Sequence, residues 1–423
     1  MRTSESRRGV LRGLAAALAL AFGGPAAAAG AATRVADRPF YAGGDVSVLG
    51  WLERSGARYH DRRGRRGDAL TILRDAGFDI VRLRLYEQPG PGRGHDGWHW
   101  PADCMNLPDL LALARRSAAL GMQIQLTFHY SDFWTNGKVQ TVPAAWQAQL
   151  DALPSEDARF ERLRELVVGR TREVMLALQA QGTTPQFVSI GNEIEGGLLF
   201  PYGALNVPNA VPNAVPNAVP NAVPDGEDNW PRLGKLLQAG HDAVKSVAPS
   251  SRTILHLDDG GNIDKYTWYF DRLRSLGVEW DLIGASYYPF WTKKSVPQLA
   301  DFIRAVTARY DKDLFVMEAG FNWRPTLPDG RRGQLADNGP YPAAMSSPAG
   351  QQRFMTELLS TLRRTPRTLG LLYWDPIMIA TPGVGWALRD ADGKPGPNVV
   401  SNTTLFDFEG RALPVLDSWR GNK

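Results

Sequence analysis

Eight short apolar stretches recur along this chain, and most run straight into a polar or aromatic group able to do chemistry. They are Ala42–Val46, Ile80–Leu85, Gln123–Phe128, Phe187–Ile190, Arg252–His256, Leu282–Ser286, Leu314–Met317 and Leu369–Tyr373. Amphipathic runs such as Leu107–Leu120, Arg159–Gln181 and Trp230–Val247 separate several of them. Strands alternating with helical patterns pair in parallel through crossovers, so the spacing predicts βαβ units. Eight such units predict an α/β fold, a closed (β/α)8 TIM barrel with enlarged loops on one face. An open doubly wound sheet would show a Gly-rich phosphate turn after the first strand, whereas Gly43-Gly44-Asp45 lies within the strand itself.

What stands at the strand ends favours the barrel. Arg84, His129, Asn192 with Glu193, His256, Tyr287 with Tyr288, Glu318 and Trp374 all sit at or just past a C-terminal strand end. In a (β/α)8 barrel those ends converge on the catalytic face. Glu193 and Glu318, far apart in the sequence, then become a facing pair. Cleavage of a glycosidic bond needs one carboxyl group to protonate the leaving oxygen and another to attack the anomeric carbon or activate water. The residues alone do not say which glutamate takes which role. Taken singly, either glutamate could be a strand-end cap or salt-bridge partner. Two in matching contexts argue for chemistry.

The neighbours suit such a site. Asn192 can orient a sugar hydroxyl, and the planar donor fork of Arg84 can hold Glu318 ionised. Tyr287 or Tyr288 can bond the nucleophile or the substrate. His129 and His256 can bond substrate or be satisfied internally. Trp134, Trp291, Trp323, Trp374 and Trp386 fall near the same loops, with Trp374 the best floor for a sugar ring. Thirteen tryptophans exceed what packing usually needs. The histidines lack the close spacing of a zinc protease, so no metal site is expected. No Gly-Xaa-Ser-Xaa-Gly elbow is present, which lowers the esterase reading.

Charge and cysteine content exclude other classes. The net charge is +4, but four arginines against Glu5 in the first thirty residues carry most of it. The near-neutral remainder gives no reason to expect nucleic acid as a partner. Cys104 is the only cysteine, so no intrachain disulfide forms. Residues 1–32 read as a cleavable export signal: basic residues, the apolar run Leu14–Phe22, then small residues. The run is too short to span a membrane, so no membrane insertion is expected once the leader is removed. Ser6-Arg7-Arg8-Gly9-Val10-Leu11-Arg12 resembles a twin-arginine signal. Residues 33–423 are expected to form one catalytic barrel, exported to the periplasm or beyond the cell. Within it, residues 206–224 carry an Asn-Ala-Val-Pro repeat whose recurring prolines forbid a continuous helix, which predicts an extended surface loop.

These motifs in order resemble the arabinogalactan endo-β-1,4-galactanases of glycoside hydrolase family 53, from about Phe40 to Trp419. The resemblance rests on Gly44-Asp45-Val46-Ser47, Val81-Arg82-Leu83-Arg84, His129-Tyr130-Ser131-Asp132-Phe133-Trp134, Gly191-Asn192-Glu193, Leu255-His256-Leu257, Ser286-Tyr287-Tyr288-Pro289-Phe290-Trp291, Glu318 and Tyr373-Trp374-Asp375-Pro376. It implies a retaining enzyme cutting internal β-1,4-galactosidic bonds of pectic galactan or type I arabinogalactan, with Glu193 as acid/base and Glu318 as nucleophile. It implies substrate contacts from Asp45, Arg84, His129, Asn192, His256, Tyr287, Tyr288, Trp291 and Trp374, no required cofactor, and action as a monomer. Some relatives bind calcium in a late loop, where Asp390 and Asp392 stand here; two acids alone fall short of the roughly six to eight oxygens calcium takes. The chain departs from the family pattern at Asp375, commonly glutamate, and at Thr135-Asn136-Gly137, commonly an Ala-Asp-Pro-like stretch. The rivals are a mannanase or xylanase of the same clan and a noncatalytic glycan-binding barrel.

Overall fold

Every barrel strand begins within a residue or two of an apolar stretch named above. A computed structural model describes residues 39–92, 100–205, 229–389 and 395–422. The leader, the Asn-Ala-Val-Pro repeat, Asp390 and Asp392 lie outside the described residues. The barrel strands are β1 (Tyr41–Asp45), β2 (Ile80–Leu85), β3 (Gln123–Phe128), β4 (Phe187–Ile190), β5 (Arg252–Leu257), β6 (Leu282–Tyr287), β7 (Asp313–Ala319) and β8 (Thr368–Tyr373). They close in sequence order, with β1 pairing to both β2 and β8, and all the ladders are parallel. Crossover helices are α1 (Ala69–Ala76), α2 (Leu107–Ala119), α3 (Glu156–Ala180), α4 (Trp230–Val247), α5 (Ile263–Ser275), α6 (Val296–Tyr310) and α7 (Pro348–Arg364). Several are set at their starts by side-chain caps: Asp68 accepts from Thr71 N–H, Asn106 from Asp109 N–H and Ser155 from Ala158 N–H. A final 3-10 run, Pro414–Asn422, brings Trp419 fully out of solvent against Phe78, with ring centroids 5.1 Å apart.

Strand alternation sorts two cores. Residues such as Val81, Leu83, Leu126, Val188, Leu255 and Ile283 face the helices in the larger cluster. Ile80, Phe187, Ile254, Leu282, Phe315 and Met317 fill the barrel interior near the strand starts. That apolar plug leaves the upper interior positions for polar groups, and so builds a floor beneath the site.

One strand breaks the alternation, and it carries a glutamate. In β7 strict alternation would send Glu318 outward with Leu314 and Val316. The register against β6 instead jumps from Ala285↔Val316 to Ser286↔Glu318, leaving Met317 as an extra residue. This β-bulge lets Met317 and Glu318 both serve the inner side, and it turns the carboxylate into the barrel mouth. Among the described residues, no helix is long and apolar enough to cross a membrane.

Candidate active site

The barrel mouth opens as a cleft of about 510 Å³ lined by Arg82, Arg84, His129, Asn192, Glu193, Ser286, Tyr288, Trp291, Glu318 and Trp374, together with Trp134, Trp386, Asp258, Asp259 and Lys138. One oxygen from each of Glu193 and Glu318 and one ring nitrogen of His256 lie within 4.8 Å of one another. The trio is of a size to surround a cation, yet each carboxylate already has its own donors, and the Arg82 guanidinium supplies positive charge at the same spot.

The two carboxylates have different surroundings. Glu318 is buried, with Oε1 accepting from Arg82 Nη1 at 2.6 Å and Oε2 accepting from the Tyr288 hydroxyl at 2.8 Å. Burial, followed by the charge of Glu318, pushes the Tyr288 hydroxyl well up, so it stays a donor. Among the described residues Glu193 has no cationic partner and accepts one side-chain bond, from Ser286 Oγ at 2.7 Å. Burial first, then the charges of Glu318, Glu195 and Asp258, push its carboxyl well above the ordinary range, against the small opposing effect of Ser286. A carboxyl raised in this way can keep a proton to donate.

Arg82, rather than Arg84, holds Glu318. Both arginines point inward from β2, two residues apart, and the lower one reaches β7. Arg82 also donates from Nη2 to Asn192 Oδ1 at 2.6 Å and from Nε to Thr127 Oγ1 at 3.2 Å. Arg84 instead pairs with Asp375 at 2.5 Å and Asp45 at 2.9 Å. Burial opposes its charge, but those two carboxylates outweigh it and hold Arg84 protonated. Burial raises Asp375 to about 7 in spite of Arg84. The departure from glutamate at this position therefore leaves a carboxylate able to hold Arg84 beside Trp374.

The remaining candidates divide between cleft and support. Asp45 is fully buried, takes both bonds of Ser47 on Oδ1, and lies behind the arginines rather than on the cleft wall. Tyr287, expected beside the substrate, faces the helices, and its hydroxyl donates to the Lys294 carbonyl at 2.9 Å. The pairing of Tyr288 with Glu318 therefore decides between the two tyrosines. His256 bonds Ser286 Oγ through Nε2 at 2.9 Å, which makes it a support for the donor of Glu193. His129, on the cleft wall, takes Thr135 N–H on Nδ1 at 3.0 Å, so its proton sits on Nε2, which is buried and has no hydrogen-bond partner among the described residues. Burial, then nearby arginines, hold both rings neutral. Trp374 stacks on Trp386 with centroids 6.3 Å apart, and Trp291 is 48% exposed at the rim. Trp323 is buried outside the cleft wall.

Sequence reasoning passed over Ser286, Thr135 and Gln140. Thr135, where the family pattern differs, accepts Asn192 Nδ2 on its carbonyl at 2.8 Å, so the altered loop is built into the site. The motif Ser286-Tyr287-Tyr288 held the signal for Ser286, since alternation from inward Leu282 places Ser286 and Tyr288 on the inner face.

This barrel, with paired glutamates at the ends of β4 and β7, has relatives along nearly its whole length. The profile described as glycosyl hydrolase family 53 matches residues 41–419. The chain belongs to that family. It is thus a glycoside hydrolase. Within the family it is 30% identical to an arabinogalactan endo-β-1,4-galactanase of Cellvibrio japonicus, over 84% of this chain and 85% of that one. It is 26% identical to an endo-β-1,4-galactanase of Bacillus subtilis, over 90% of this chain and 85% of that one. The family 53 catalytic domain of Ignisphaera aggregans superposes with a TM-score of 0.73 at 30% identity, covering 90% of this chain and 95% of that domain.

Proposed function

We propose that this family 53 chain is an exported, retaining endo-β-1,4-galactanase acting on pectic galactan or type I arabinogalactan. The observation that carries the reaction is that the two carboxylates face each other with one oxygen of each within 4.8 Å. Retaining pairs stand roughly 5–5.5 Å apart, whereas inverting pairs need about 6.5–9.5 Å to admit a water. In the first step a Glu318 oxygen attacks the anomeric carbon from below. Glu193 gives its proton to the glycosidic oxygen as that C–O bond breaks. In the second step Glu193 takes a proton from water, the water oxygen bonds the anomeric carbon, and Glu318 leaves as carboxylate. The names of the galactanase relatives support the substrate, and the leader-like N-terminus supports export.

Linear β-1,4-galactan, β-mannan, xylan and cellulose form the deciding panel, with Glu193→Gln as control. Short galactose oligomers released with the β configuration from galactan alone are the expected result. Cleavage of mannan or xylan in preference would move the specificity to the rival enzymes, and initial α-anomers would end the retaining mechanism.

The raised proton affinity of Glu193 carries a pH prediction. The basic limb of kcat/KM should follow Glu193 losing its proton, and should lie well above the ordinary carboxylate range. Glu195 is buried and raised to about 8, by burial first and then Asp258, against the charge of Lys265. Once ionised it opposes ionisation of Glu193, so Glu195→Gln should lower the Glu193 pKa. The basic limb should then move to lower pH. An unmoved or upward limb would remove Glu195 from this role.

A further inference from the structure

The peptide turn that carries Glu193 is an awkward one. Gly191 and Glu193 have φ of 84° and 47°, and a non-glycine residue is strained in that left-handed region. Something must hold it. The carbonyl of Gly191 accepts from Ser189 Oγ at 2.7 Å. The next two carbonyls share one amide: Gln140 Nε2 lies 2.9 Å from Asn192 O and 3.2 Å from Glu193 O, and also 3.0 Å from Asn136 O. On the far side, Ile194 N–H donates to His256 O at 2.9 Å.

Gln140 is itself fixed. It is 1% exposed, and its own carbonyl accepts Phe200 N–H at 2.7 Å, from the loop beyond Glu193. The two loops also interlock at Gly137, where an added Cβ would stand 1.9 Å from Glu195 Oε1. Yet Gln140 Oε1 is buried without a hydrogen-bond partner among the described residues. An acceptor left so has lost its water without gaining a partner, which is destabilising. Folding alone gains nothing from that end of the amide, and costs of this kind tend to persist at functional sites.

We infer that Gln140 is a positioning residue, its amide fixing the turn that aims the Glu193 carboxyl at the leaving oxygen. The inference rests on Glu193 being the acid. Without the amide the turn relaxes and the proton donor drifts, while Glu318, held by Arg82 on β2 and by Tyr288 just past β6, keeps its place. A misplacement near 1 Å costs on the order of 10²-fold in rate. That loss falls on leaving groups that need protonation.

Leaving-group dependence provides the test. The wild type, Gln140→Met and Glu193→Gln are compared on linear galactan and on a 2,4-dinitrophenyl β-galactobioside, whose phenolate departs unassisted. For Gln140→Met the expected result is a loss of about 10²-fold in kcat/KM on galactan, with a much smaller loss in kcat/KM for dinitrophenolate release, which reports the first step alone. Equal losses on both substrates, as from a smaller folded fraction, would overturn the inference, as would no loss on galactan. Gln140→Glu supplies an independent reading. Its carboxyl can donate to one carbonyl only while protonated, so the gap between the two substrates should widen as pH rises. A gap that stays constant with pH counts against positioning. If Glu193→Gln itself fails to discriminate between the substrates, the assignment of Glu193 as acid falls instead.

Discussion

Glu318→Gln is expected to lower kcat on galactan by about 10⁴–10⁶-fold while leaving the fold intact. The fold should survive because the amide can present its oxygen to Arg82 and its NH₂ to Tyr288, whose hydroxyl can turn to accept. Thermal unfolding and circular dichroism should therefore stay near wild type. Loss of activity alone would not separate a nucleophile from an acid, but chemical rescue does. In Glu318→Ala, azide entering the vacated space attacks an activated β-galactoside from below, and the product is the α-galactosyl azide. In Glu193→Ala, azide attacks the glycosyl-enzyme from above, and the product is the β-galactosyl azide. Product configuration read by NMR settles the roles, and the opposite pair of products would exchange them. Rescue in neither variant, with both folded, would remove the covalent route.

How far these roles are legible in the chain depends on period-2 alternation. On β6 alternation leaves Tyr287 and Tyr288 open until Leu282 is placed inside the barrel, and then it suffices. Leu282 belongs to the barrel interior, so Ser286 and Tyr288 must face inward and Tyr287 outward, as Tyr288 bonding Glu318 and Tyr287 bonding Lys294 bear out. On β2 it narrows the choice without making it. Arg82 and Arg84 share the inner face, and only the height of β7 beside β2 selects Arg82 for Glu318. On β7 it fails outright. Alternation from Phe315 sends Glu318 toward the helices, and the bulge that reverses this has no mark in Leu314-Phe315-Val316-Met317-Glu318-Ala319. Strands were legible because burial on both faces leaves long apolar runs. Gln140 was not, because its importance lies in which carbonyls its amide reaches across two loops, and no spacing encodes that.

Arg82 is where stability and catalysis meet, so its replacement should be costly to both. The side chain is fully buried and its fork reaches Glu318, Asn192 and Thr127, with Asp45 at 3.5 Å. Burial works against its charge, but Glu318 and Asp45 outweigh that and keep it protonated. Arg82→Met removes the cation and leaves Glu318 buried with Tyr288 as its remaining donor. Breaking a buried pair by deleting one partner costs about 3–5 kcal/mol, which should appear as a Tm lower by several degrees. Activity should fall by about 10²–10³-fold, the scale seen when one preorganised donor is lost. Arg82→Lys keeps the charge but presents a single point in place of the planar fork, so it cannot serve Glu318 and Asn192 together. It should recover part of the Tm and little of kcat. Arg84→Met provides the contrast: it breaks the pairing with Asp375 and Asp45 behind Trp374 and should raise KM more than it lowers kcat. A kcat for Arg82→Met near that of wild type, or larger kcat losses at Arg84 than at Arg82, would mean that Glu318 is held in place by something other than the guanidinium 2.6 Å away.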